Sequence, residues 1–390
     1  MKVLLINSEP IDYTIAYANG LAPHVETVAI LPRKRYEKLR PWIDPRVQLE
    51  LVDWPRNRSA RNPAFLVELT RRIRAHRPDV VHLLSNTAPW LNAAVPFWRG
   101  ARLVTTVHDV ALHPGDRETS RLPGWGSRLL ARQSGDIVVH GKGLRAAAAE
   151  VFGKSRDRVH VLQHPAIRRY AEQARKQGMT RTRPADQVVM LLYGRIFAYK
   201  GLETLIRAEA MIDPRLRGLR IVIAGRGDDP RALSHLMGDP SRYEIHRGFI
   251  EDAATARLFT EADMVLLPYD EASQSGVLHV AATFGKPVVV TDVGELRATV
   301  EPNGLGLVVP PRNPEALARA LVRLAGNAAE RARFGENARL WSEGENAPCR
   351  IGASAVTLYR EMIARGDSPS SERMPPPTTD PDCPPGVVPP

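Results

Sequence analysis

The sequence predicts an α/β protein built from two doubly wound domains, each with a parallel sheet. Three observations carry this prediction. Short apolar runs of strand length recur along the 390 residues, and amphipathic helical stretches fit between most of them. The runs lack polar alternation, as expected of parallel strands that are buried on both faces. One polar, basic connector interrupts the series, so the same architecture is repeated twice along the chain.

Seven apolar runs in the first half predict the strands of a first sheet. The helical stretch Pro63–Ala75 fits between the third and fourth runs, with Asn62 as its expected N-cap. We therefore expect residues 1–167 to form an N-terminal domain. The runs are Val3–Ile6, Val28–Leu31, Val47–Leu51, Val80–Leu84, Leu103–Val107, Ile137–Val139 and Val159–Leu162.

A second series of strands follows the connector 168–187, which is expected to be an interdomain linker. It predicts a C-terminal domain over 188–345, followed by a helix over 346–365 that is free to return to the N-terminal domain. The tail 366–390 is rich in Pro, Ser and Thr and is expected to be disordered. The strand runs are Val188–Tyr193, Leu219–Ala224, Tyr243–His246, Met264–Leu267, Val288–Thr291 and Leu307–Val309.

The charge is unevenly distributed along the chain. Residues 1–185 carry 31 Lys and Arg against 16 Asp and Glu, whereas residues 186–365 carry 22 against 23. This asymmetry suggests an anionic partner for the first half, such as a phosphorylated substrate, an acidic membrane surface or nucleic acid. A generally arginine-rich surface is the alternative. No apolar run approaches the roughly 20 residues that cross a bilayer, and the N-terminus does not continue as a signal peptide, so we expect a cytoplasmic protein.

Chemistry is expected where the second series of strands ends, because open parallel sheets bind ligands beyond the carboxyl ends of their strands. The first of these strands runs into Gly194, Arg195 and then Lys200, which places two cations in one turn that contains little steric bulk. The next strand ends in Gly225 and Arg226. Together these residues predict a site for an anion.

A helix with small and polar residues at its start provides a second feature. Ser275, Gly276 and Val277 would present backbone N–H groups at its N-terminus, where phosphate is commonly bound. A helix terminus stabilises an anion by about 0.3–1 kcal/mol, whereas a hydrogen bond to a charged group contributes about 1.5–3 kcal/mol. Arg195 and Lys200 should therefore contribute more than the helix. The alternatives are two surface cations beside a turn and an ordinary helix cap.

Four segments of the second half carry a family resemblance. In order and spacing, GRIFAYKGLETLIRA, VIAGRG, GFIEDAATARLFTEADMVLLPY and SQSGVLHVAATFGKPVVVTDVG resemble the retaining nucleotide-sugar glycosyltransferases of GT-B fold, family 4. In the first half, PDVVHLL, TTVHDVALHPGDR, DIVVHGKGL and HVLQHP are similar to that family's acceptor domain. The resemblance covers residues 1 to about 363. It implies two Rossmann-like domains facing each other across a cleft.

The resemblance also implies a donor, a mechanism and site residues. The donor would be a nucleotide-diphosphate sugar, with no metal ion and no other cofactor. Transfer would retain the anomeric configuration by front-face substitution, in which the departing phosphate oxygen accepts the proton of the acceptor hydroxyl. Such chemistry depends on charge stabilisation of the leaving group. Arg195 and Lys200 would neutralise the diphosphate and His108 would reach the donor sugar; the other expected donor-binding residues are Gly194, Gly225, Arg226, Phe249, Ile250, Ser275, Gly276 and Val277.

Two glutamates that many members of this family carry in the last segment are absent here. Their places fall near Ala272 and near Val280 or Ala281. One branch of the family has a Gln-Ser-Gly-Val run instead, as in Gln274–Val277 of this chain. The family's Gly-Gly-x-x-Glu element is altered as well. Candidates to take over the role of the absent glutamates are Asp270, Glu271, Gln274 and Glu295.

The acceptor is expected to meet the first domain near Asp109, His113 and Arg117. Basic residues interleaved with Trp42, Trp98 and Trp125 suit a membrane interface. From this we hypothesise a peripheral enzyme on the inner face of the membrane, acting on a lipid-linked or phosphorylated acceptor. The alternative is a soluble enzyme that glycosylates a small metabolite.

Other function classes fit less well. The missing glutamates permit a nucleotide-sugar-binding protein that kept the fold and lost turnover. A Rossmann-type oxidoreductase is disfavoured, because MKVLLINSEPIDYTIAY contains no G-x-G-x-x-G after the first strand. Nucleic acid is not an expected partner, since no recognised binding module lies in the basic half.

Overall fold

The computed structural model describes residues 1–56, 59–86, 88–98, 100–110 and 124–366. These residues form two compact units. The first unit contains Met1–Val110, the chain after the gap up to Pro165, and the C-terminal segment from Glu343; the second is Ala166–Ser342. The expected disordered tail lies outside the described residues, apart from Gly366.

The described part of the first unit contains a seven-stranded parallel sheet in the order β3-β2-β1-β4-β5-β6-β7. Its apolar strands are buried on both faces, and Leu4, for example, lies between Val28 and Val81 of the neighbouring strands. All seven predicted strands are present within two residues of their predicted bounds. They are β1 (Lys2–Ile6), β2 (Glu26–Pro32), β3 (Val47–Val52), β4 (Val80–Leu83), β5 (Arg102–Thr106), β6 (Asp136–Val139) and β7 (Val159–Val161).

The second unit contains a six-stranded parallel sheet in the order β10-β9-β8-β11-β12-β13. Leu191 lies between Val222 and Val265 and is fully buried, so this sheet also has a continuous apolar core. The order reverses beside β8, which places the loops after β8 and β11 next to each other at one edge. The strands are β8 (Val188–Tyr193), β9 (Leu219–Gly225), β10 (Tyr243–Arg247), β11 (Met264–Leu267), β12 (Val288–Thr291) and β13 (Gly306–Val309).

Helices connect the strands in both units, in the alternation that the sequence predicts. The helices of the described chain are α1 (Ile11–Leu21), α2 (Arg33–Tyr36), α3 (Asn62–His76), α4 (Gly124–Gln133), α5 (Leu144–Phe152), α6 (Arg169–Lys176), α7 (Leu202–Ala210), α8 (Asp252–Glu261), α9 (Gly276–Thr283), α10 (Leu296–Asn303), α11 (Pro314–Gly326), α12 (Ala328–Glu343) and α13 (Pro348–Gly366). Short 3-10 turns lie at Glu37–Trp42, Pro89–Ala93, Val95–Phe97, Arg156–Arg158, Ala198–Lys200, Pro230–Leu236 and Pro240–Arg242.

Helix α11 shows why such segments are helical. Asn313 Oδ1 accepts a hydrogen bond from the backbone N–H of Ala316 at 2.8 Å, and Pro314 follows as the first helical residue. Leu317, Leu321 and Leu324 recur at helical spacing and are buried against the sheet core. The N-cap predicted for α3 is wrong: α3 starts at Asn62 itself, and its cap residue Arg61 makes no side-chain capping hydrogen bond.

The segment 168–187, which was expected to be an interdomain linker, contains a helix. It contains α6, which packs on α8 inside the second unit. The Arg169 guanidinium donates to both carboxylate oxygens of Asp252, at 2.5 and 2.9 Å, and this bidentate pair fixes the two helices. The basic composition of this segment thus includes an arginine, Arg169, that forms an ion pair within the second unit.

Helix α13 belongs to the first unit, where it packs against α1. The two backbones approach so closely that a Cβ on Gly352 would lie 1.8 Å from the carbonyl oxygen of Gly20. The buried Tyr17 and Tyr359 hydroxyls are 2.6 Å apart across this contact. Helix α13 therefore stabilises the first unit through its contact with α1.

Candidate functional site

The loops after β8 and β9 lie side by side at the carboxyl edge of the second sheet. The backbone N–H of Ile196 donates to the carbonyl oxygen of Arg226 at 2.8 Å. Gly225 has a φ of 151°, and a Cβ there would lie 1.6 Å from the carbonyl oxygen of Gly194. Only glycine fits this approach, which explains the glycine that the sequence places at the end of β9.

The turn that carries the two cations is seated on the loop after β11. Gly201 has a φ of 69°, and a Cβ there would lie 1.7 Å from the carbonyl oxygen of Pro268. The backbone N–H of Asp270 donates to the carbonyl oxygen of Tyr199 at 2.8 Å. Lys200 is therefore held between these two contacts by the backbone.

Tyr269 connects the parts of the predicted site. The Lys200 ammonium lies 3.6 Å from the centre of the Tyr269 ring, within the range of a cation–π interaction. The Tyr269 hydroxyl lies 3.0 Å from Ser275 Oγ. Burial raises the pKa of Tyr269 to about 12, and the charge of Arg195 acts in the opposite direction. The cationic turn and the helix start thus meet at one neutral phenol, and both cations are half-buried.

The start of α9 has the geometry that favours an anion. Ser275 is the N-cap in an extended conformation, with its hydroxyl directed to Tyr269 and no side-chain capping hydrogen bond to the helix. The first N–H groups of a helix have no intrahelical acceptor. The amides of Gly276 and Val277 are therefore not covered by their own cap residue.

Two buried acceptor atoms mark the loop between β11 and α9. Asp270 Oδ1 and Gln274 Oε1 accept no hydrogen bond within the described chain. Buried acceptors without donors are costly, and such atoms are rare unless a ligand or water supplies the donor. Burial raises the pKa of Asp270, while Arg312, whose Nε is 3.6 Å from Asp270 Oδ2, opposes the rise. Glu271 is more exposed, with Oε1 3.6 Å from an Arg312 nitrogen.

The other residues predicted to bind the sugar donor lie along the same edge of the sheet, and their side chains differ in solvent exposure. Glu295 is half-buried and its backbone N–H donates to the carbonyl oxygen of Ser273 at 3.1 Å. Phe249 follows β10 and is 82% exposed, whereas Ile250 packs against the apolar core. Arg226 is exposed. These positions agree with a surface site, and their roles stay predictions.

Three histidines follow three neighbouring strands of the first sheet. His108 comes after β5, His140 after β6 and His164 after β7. All three rings surround the buried Tyr13 ring, with ring centres 4.6, 5.1 and 4.9 Å away. Sequence reasoning gave a role to His108 alone. A histidine placed just after each of three adjacent strands was the signal for the other two.

Both ring nitrogens of His108 have partners inside the first unit. Nε2 lies 2.8 Å from the carbonyl oxygen of Leu84, and Nδ1 lies 3.1 Å from His140 Nε2. Burial lowers the pKa of His108, while the Leu84 carbonyl and Asp109 act to raise it. A contact to a donor sugar would require the ring to exchange one partner. Of the predicted acceptor residues, Asp109 is half-buried, and His113 and Arg117 lie outside the described residues.

One of the three tryptophans expected at a membrane interface is buried in the first unit. Trp98 is 4% exposed and donates from Nε1 to Thr70 Oγ1 at 3.1 Å, so its assignment to a membrane interface is wrong. Trp42 packs partly buried against the core, and the side chain of Trp125 is not described. Within the described ranges, no helix has both the length and the apolar character to cross a bilayer. The same ranges contain no cluster of His, Cys, Asp and Glu that could hold a metal ion.

Each half of the chain contains a segment that matches the model of a known protein family. Residues 187–327 match the family model "Glycosyl transferases group 1", and residues 11–164 match "Glycosyl transferase 4-like domain". The first match lies within the second unit and includes the cationic turn, Tyr269 and the start of α9. The second match includes His108 and His140, and its last residue is His164.

Individual relatives agree with this assignment. Alpha-D-kanosaminyltransferase of Streptomyces kanamyceticus is 28% identical over 67% of this chain and 71% of its own length. D-inositol 3-phosphate glycosyltransferase of Xylanimonas cellulosilytica is 27% identical over 73% of this chain and 75% of its own length. The structure of Anabaena HepE in complex with UDP-glucose is similar with a TM-score of 0.67 and 17% identity, covering 92% of this chain and 100% of that one. The predicted GT-B type, with two Rossmann-like domains, is confirmed.

Proposed function

Both domains of this chain are glycosyltransferase domains, and we propose that the protein is a retaining enzyme that transfers a sugar from a nucleotide-diphosphate sugar to an acceptor hydroxyl. The reaction would proceed by front-face substitution without a metal ion. Arg195, Lys200 and the amides of Gly276 and Val277 stabilise the departing diphosphate. An interaction of the His108 ring with the donor sugar, which the resemblance implies, requires that ring to release Leu84 or His140.

The observation that carries this proposal is that Lys200, Ser275 and Arg195 all interact with Tyr269. An ammonium lies 3.6 Å from the centre of its ring, the helix cap Ser275 lies 3.0 Å from its hydroxyl, and the charge of Arg195 acts on the same phenol. Preorganised positive groups of this kind stabilise charge that develops on a leaving group, and they need no reorganisation during the reaction. The site thus supports departure of a diphosphate.

Gln274 and Asp270 are proposed to bind the donor hydroxyls in place of the two absent family glutamates. Both present a buried acceptor atom that no described protein group satisfies. Hydroxyls of the donor sugar or ribose would supply the missing donors. A site built around such acceptors discriminates strongly against analogues that lack the hydroxyl. Deoxy-sugar donors are therefore expected to be poor substrates.

The acceptor is proposed to be phosphorylated or lipid-linked. The net charge of +15 over residues 1–185 supports an anionic acceptor, and one relative is named for D-inositol 3-phosphate. A small unphosphorylated metabolite is the alternative, since another relative is an Alpha-D-kanosaminyltransferase. We propose a cytoplasmic location for the enzyme. The run Arg33–Arg40, mostly exposed and basic, would allow contact with an anionic membrane surface.

A second candidate is a nucleotide-sugar-binding protein with little or no turnover. The observation that favours it is the replacement of the two family glutamates by Ala272 and by Val280 or Ala281. Both candidates bind the donor, but only the enzyme produces free nucleoside diphosphate when an acceptor is present. Release of that product separates the two.

A thermal-shift panel of UDP-, GDP-, ADP- and dTDP-sugars tests the donor assignment. By linkage, a ligand present at 100 times its dissociation constant stabilises the folded protein by about 2.7 kcal/mol. We expect one nucleotide to raise the unfolding temperature of the wild type, and Arg195→Ala to remove the shift. Arg215→Ala is the matched control, because Arg215 is exposed and paired with Asp213 in a surface turn. No shift with any nucleotide sugar would contradict the proposal.

A further inference from the structure

His108 and His140 share more hydrogen bonds than two neutral imidazoles supply. The contact from His108 Nε2 to the Leu84 carbonyl, at 2.8 Å, uses one ring N–H, because a carbonyl oxygen only accepts. The contact from His140 Nδ1 to the Leu162 carbonyl, at 2.9 Å, uses a second. The remaining nitrogens, His108 Nδ1 and His140 Nε2, face each other at 3.1 Å. Counted over the described contacts, a hydrogen bond between these two nitrogens requires a third proton.

The surroundings of the two histidines act in opposite directions on the binding of an extra proton. Burial lowers the pKa of His108, and Asp109 opposes that effect. Burial also keeps neighbouring groups neutral: the pKa of Tyr13 is raised well above its usual value, and that of His82 is lowered to about 3. His140 itself is 7% exposed. Within the described chain, the titratable groups that surround the pair are Tyr13, His82, Asp109 and His164.

We propose that His108 and His140 share one proton and titrate as a single unit, and that His140 is a positioning residue that sets the ring orientation and the charge of His108. The charge of the protonated pair appears at the carboxyl edge of the first sheet, which is where parallel sheets bind ligands. The consequence for catalysis rests on the proposed transfer reaction. The shared proton itself does not, because it is inferred from the distances that join the two rings to each other and to the two carbonyls.

Nitrogen-15 NMR of the histidines in the full chain tests the shared proton. From pH 8 to pH 4 we expect the ring signals of His108 and His140 in the wild type to shift with one common midpoint and a total uptake of one proton. Because burial lowers the pKa of His108, this midpoint should lie below the ordinary histidine value. In His140→Asn, the side-chain amide donates to His108 Nδ1 and satisfies it without an extra proton. The affinity of His108 for a proton should then fall about tenfold, since a hydrogen bond to a charged group is stronger than a neutral one by roughly that factor.

His164→Asn is the matched control. Its ring packs against the same Tyr13 and its Nδ1 contacts the carbonyl oxygen of Pro165, at 2.8 Å. This variant should keep the common titration of His108 and His140. Independent midpoints in the wild type, or an unchanged His108 titration in His140→Asn, would overturn the shared proton. The spectra of both variants also report whether the fold is intact.

The pH dependence of transfer tests the positioning role. If the reaction uses the protonated pair, kcat/KM for the donor falls as pH rises through the midpoint of the pair. That fall should move to lower pH in His140→Asn and move much less in His164→Asn, because His164 packs against His140 with, among the described contacts, no hydrogen bond to either ring of the pair. An unmoved profile in His140→Asn would reject the positioning role. If the wild type transfers no sugar at all, the proposed function fails, and the NMR titration still decides whether the proton is shared.

Discussion

The carboxyl edges of the two sheets carry different kinds of charge. In the second unit, Arg195 and Lys200 are permanent cations, placed by glycine turns against the buried Tyr269. In the first unit, the edge carries histidines whose ring nitrogens are engaged with carbonyls and with each other. A fixed positive charge is suited to a diphosphate that is always anionic, whereas a conditional charge depends on pH and on what is bound nearby.

The two edges also differ in the backbone conformation that they require. We call the edge with Arg195 and Lys200 the cationic edge and the edge with His108, His140 and His164 the histidine edge. The cationic edge depends on close approach between loops, with φ angles that favour glycine at Gly201 and Gly225. The histidine edge depends on side-chain packing around Tyr13. Substitutions and changes of pH should therefore affect the two edges differently, and substitutions of the cationic edge should have the larger effects.

Removal of a permanent charge should have the largest effect on turnover. We expect Arg195→Ala to lower kcat/KM by roughly 10²–10³-fold, the loss typical of one preorganised group that stabilises a developing anion. Ser275→Ala should lower it less than tenfold, because the amides of α9 remain. Steady-state kinetics with the preferred donor measures both. Comparable losses in the two variants would mean that the helix start, and not the guanidinium, dominates leaving-group stabilisation.

The backbone of the cationic edge should tolerate no side chain at Gly225. An added Cβ would lie 1.6 Å from the carbonyl oxygen of Gly194 at a φ of 151°, so Gly225→Ala should lower the free energy of unfolding by about 2–3 kcal/mol. Gly326→Ala is the control, because a Cβ at the end of α11 would meet no atom within 4 Å. Denaturant titration of both variants provides the comparison. Equal stability of the two would show that the loops after β8 and β9 can separate without cost.

These two edges also show how far the sequence alone reaches. The thirteen strands were predictable because buried parallel strands are continuous apolar runs. The tight turn that carries Arg195 and Lys200 and the helix start at Ser275 were predictable from glycines and small residues at strand ends, whereas the roles of these side chains stay predictions. Tyr269 was not predictable, because nothing in a single aromatic residue after β11 indicates that an ammonium from another loop lies over its ring. That contact depends on the reversal of strand order beside β8.

Errors of sequence reasoning have the same physical origin. Trp98 looked like a membrane anchor by composition, yet tertiary packing buries it, with its indole N–H on Thr70. Composition likewise gave no sign that Arg169, in the basic segment 168–187, pairs with Asp252 of a helix far along the chain. Local composition carries no information on partners that are distant in sequence. The same limit hid the pairing of His108 with His140.

Acidification should destabilise the histidine edge more than the cationic edge. Burial holds the pKa of His82 at about 3, below the value of about 6.5 expected in the unfolded chain. The unfolded chain therefore binds more protons below pH 6.5, and this contribution to stability is present above pH 6.5 and lost as pH falls toward 3. The loss is about 1.4 kcal/mol per pH unit, or roughly 2 kcal/mol at pH 5.

Hydrogen exchange at pH 7 and pH 5 locates this loss. Amides of β4 and β5 should lose protection relative to amides of β8 and β11, after correction for intrinsic rates. His82→Gln should be less stable at pH 7, because His82 contacts Tyr359 at 2.5 Å and Thr106 at 2.8 Å, but its stability should depend less on pH. An equal loss of protection in both sheets would contradict the assignment to the first unit.

The smallest expected effect distinguishes the two contacts of Tyr269. Tyr269→Phe removes the hydroxyl next to Ser275 Oγ and keeps the ring beneath the Lys200 ammonium, so unfolding free energy should fall by about 0.5–1.5 kcal/mol and donor affinity should change little. Tyr269→Leu removes the ring as well and should cost about a further 0.5–1 kcal/mol of cation–π stabilisation, together with a measurable loss of donor affinity. Calorimetric titration with the preferred nucleotide sugar, beside denaturant unfolding, measures both quantities. If the two variants bind the donor equally well, the aromatic ring does not position Lys200, and the glycine turn alone fixes the cation at this edge.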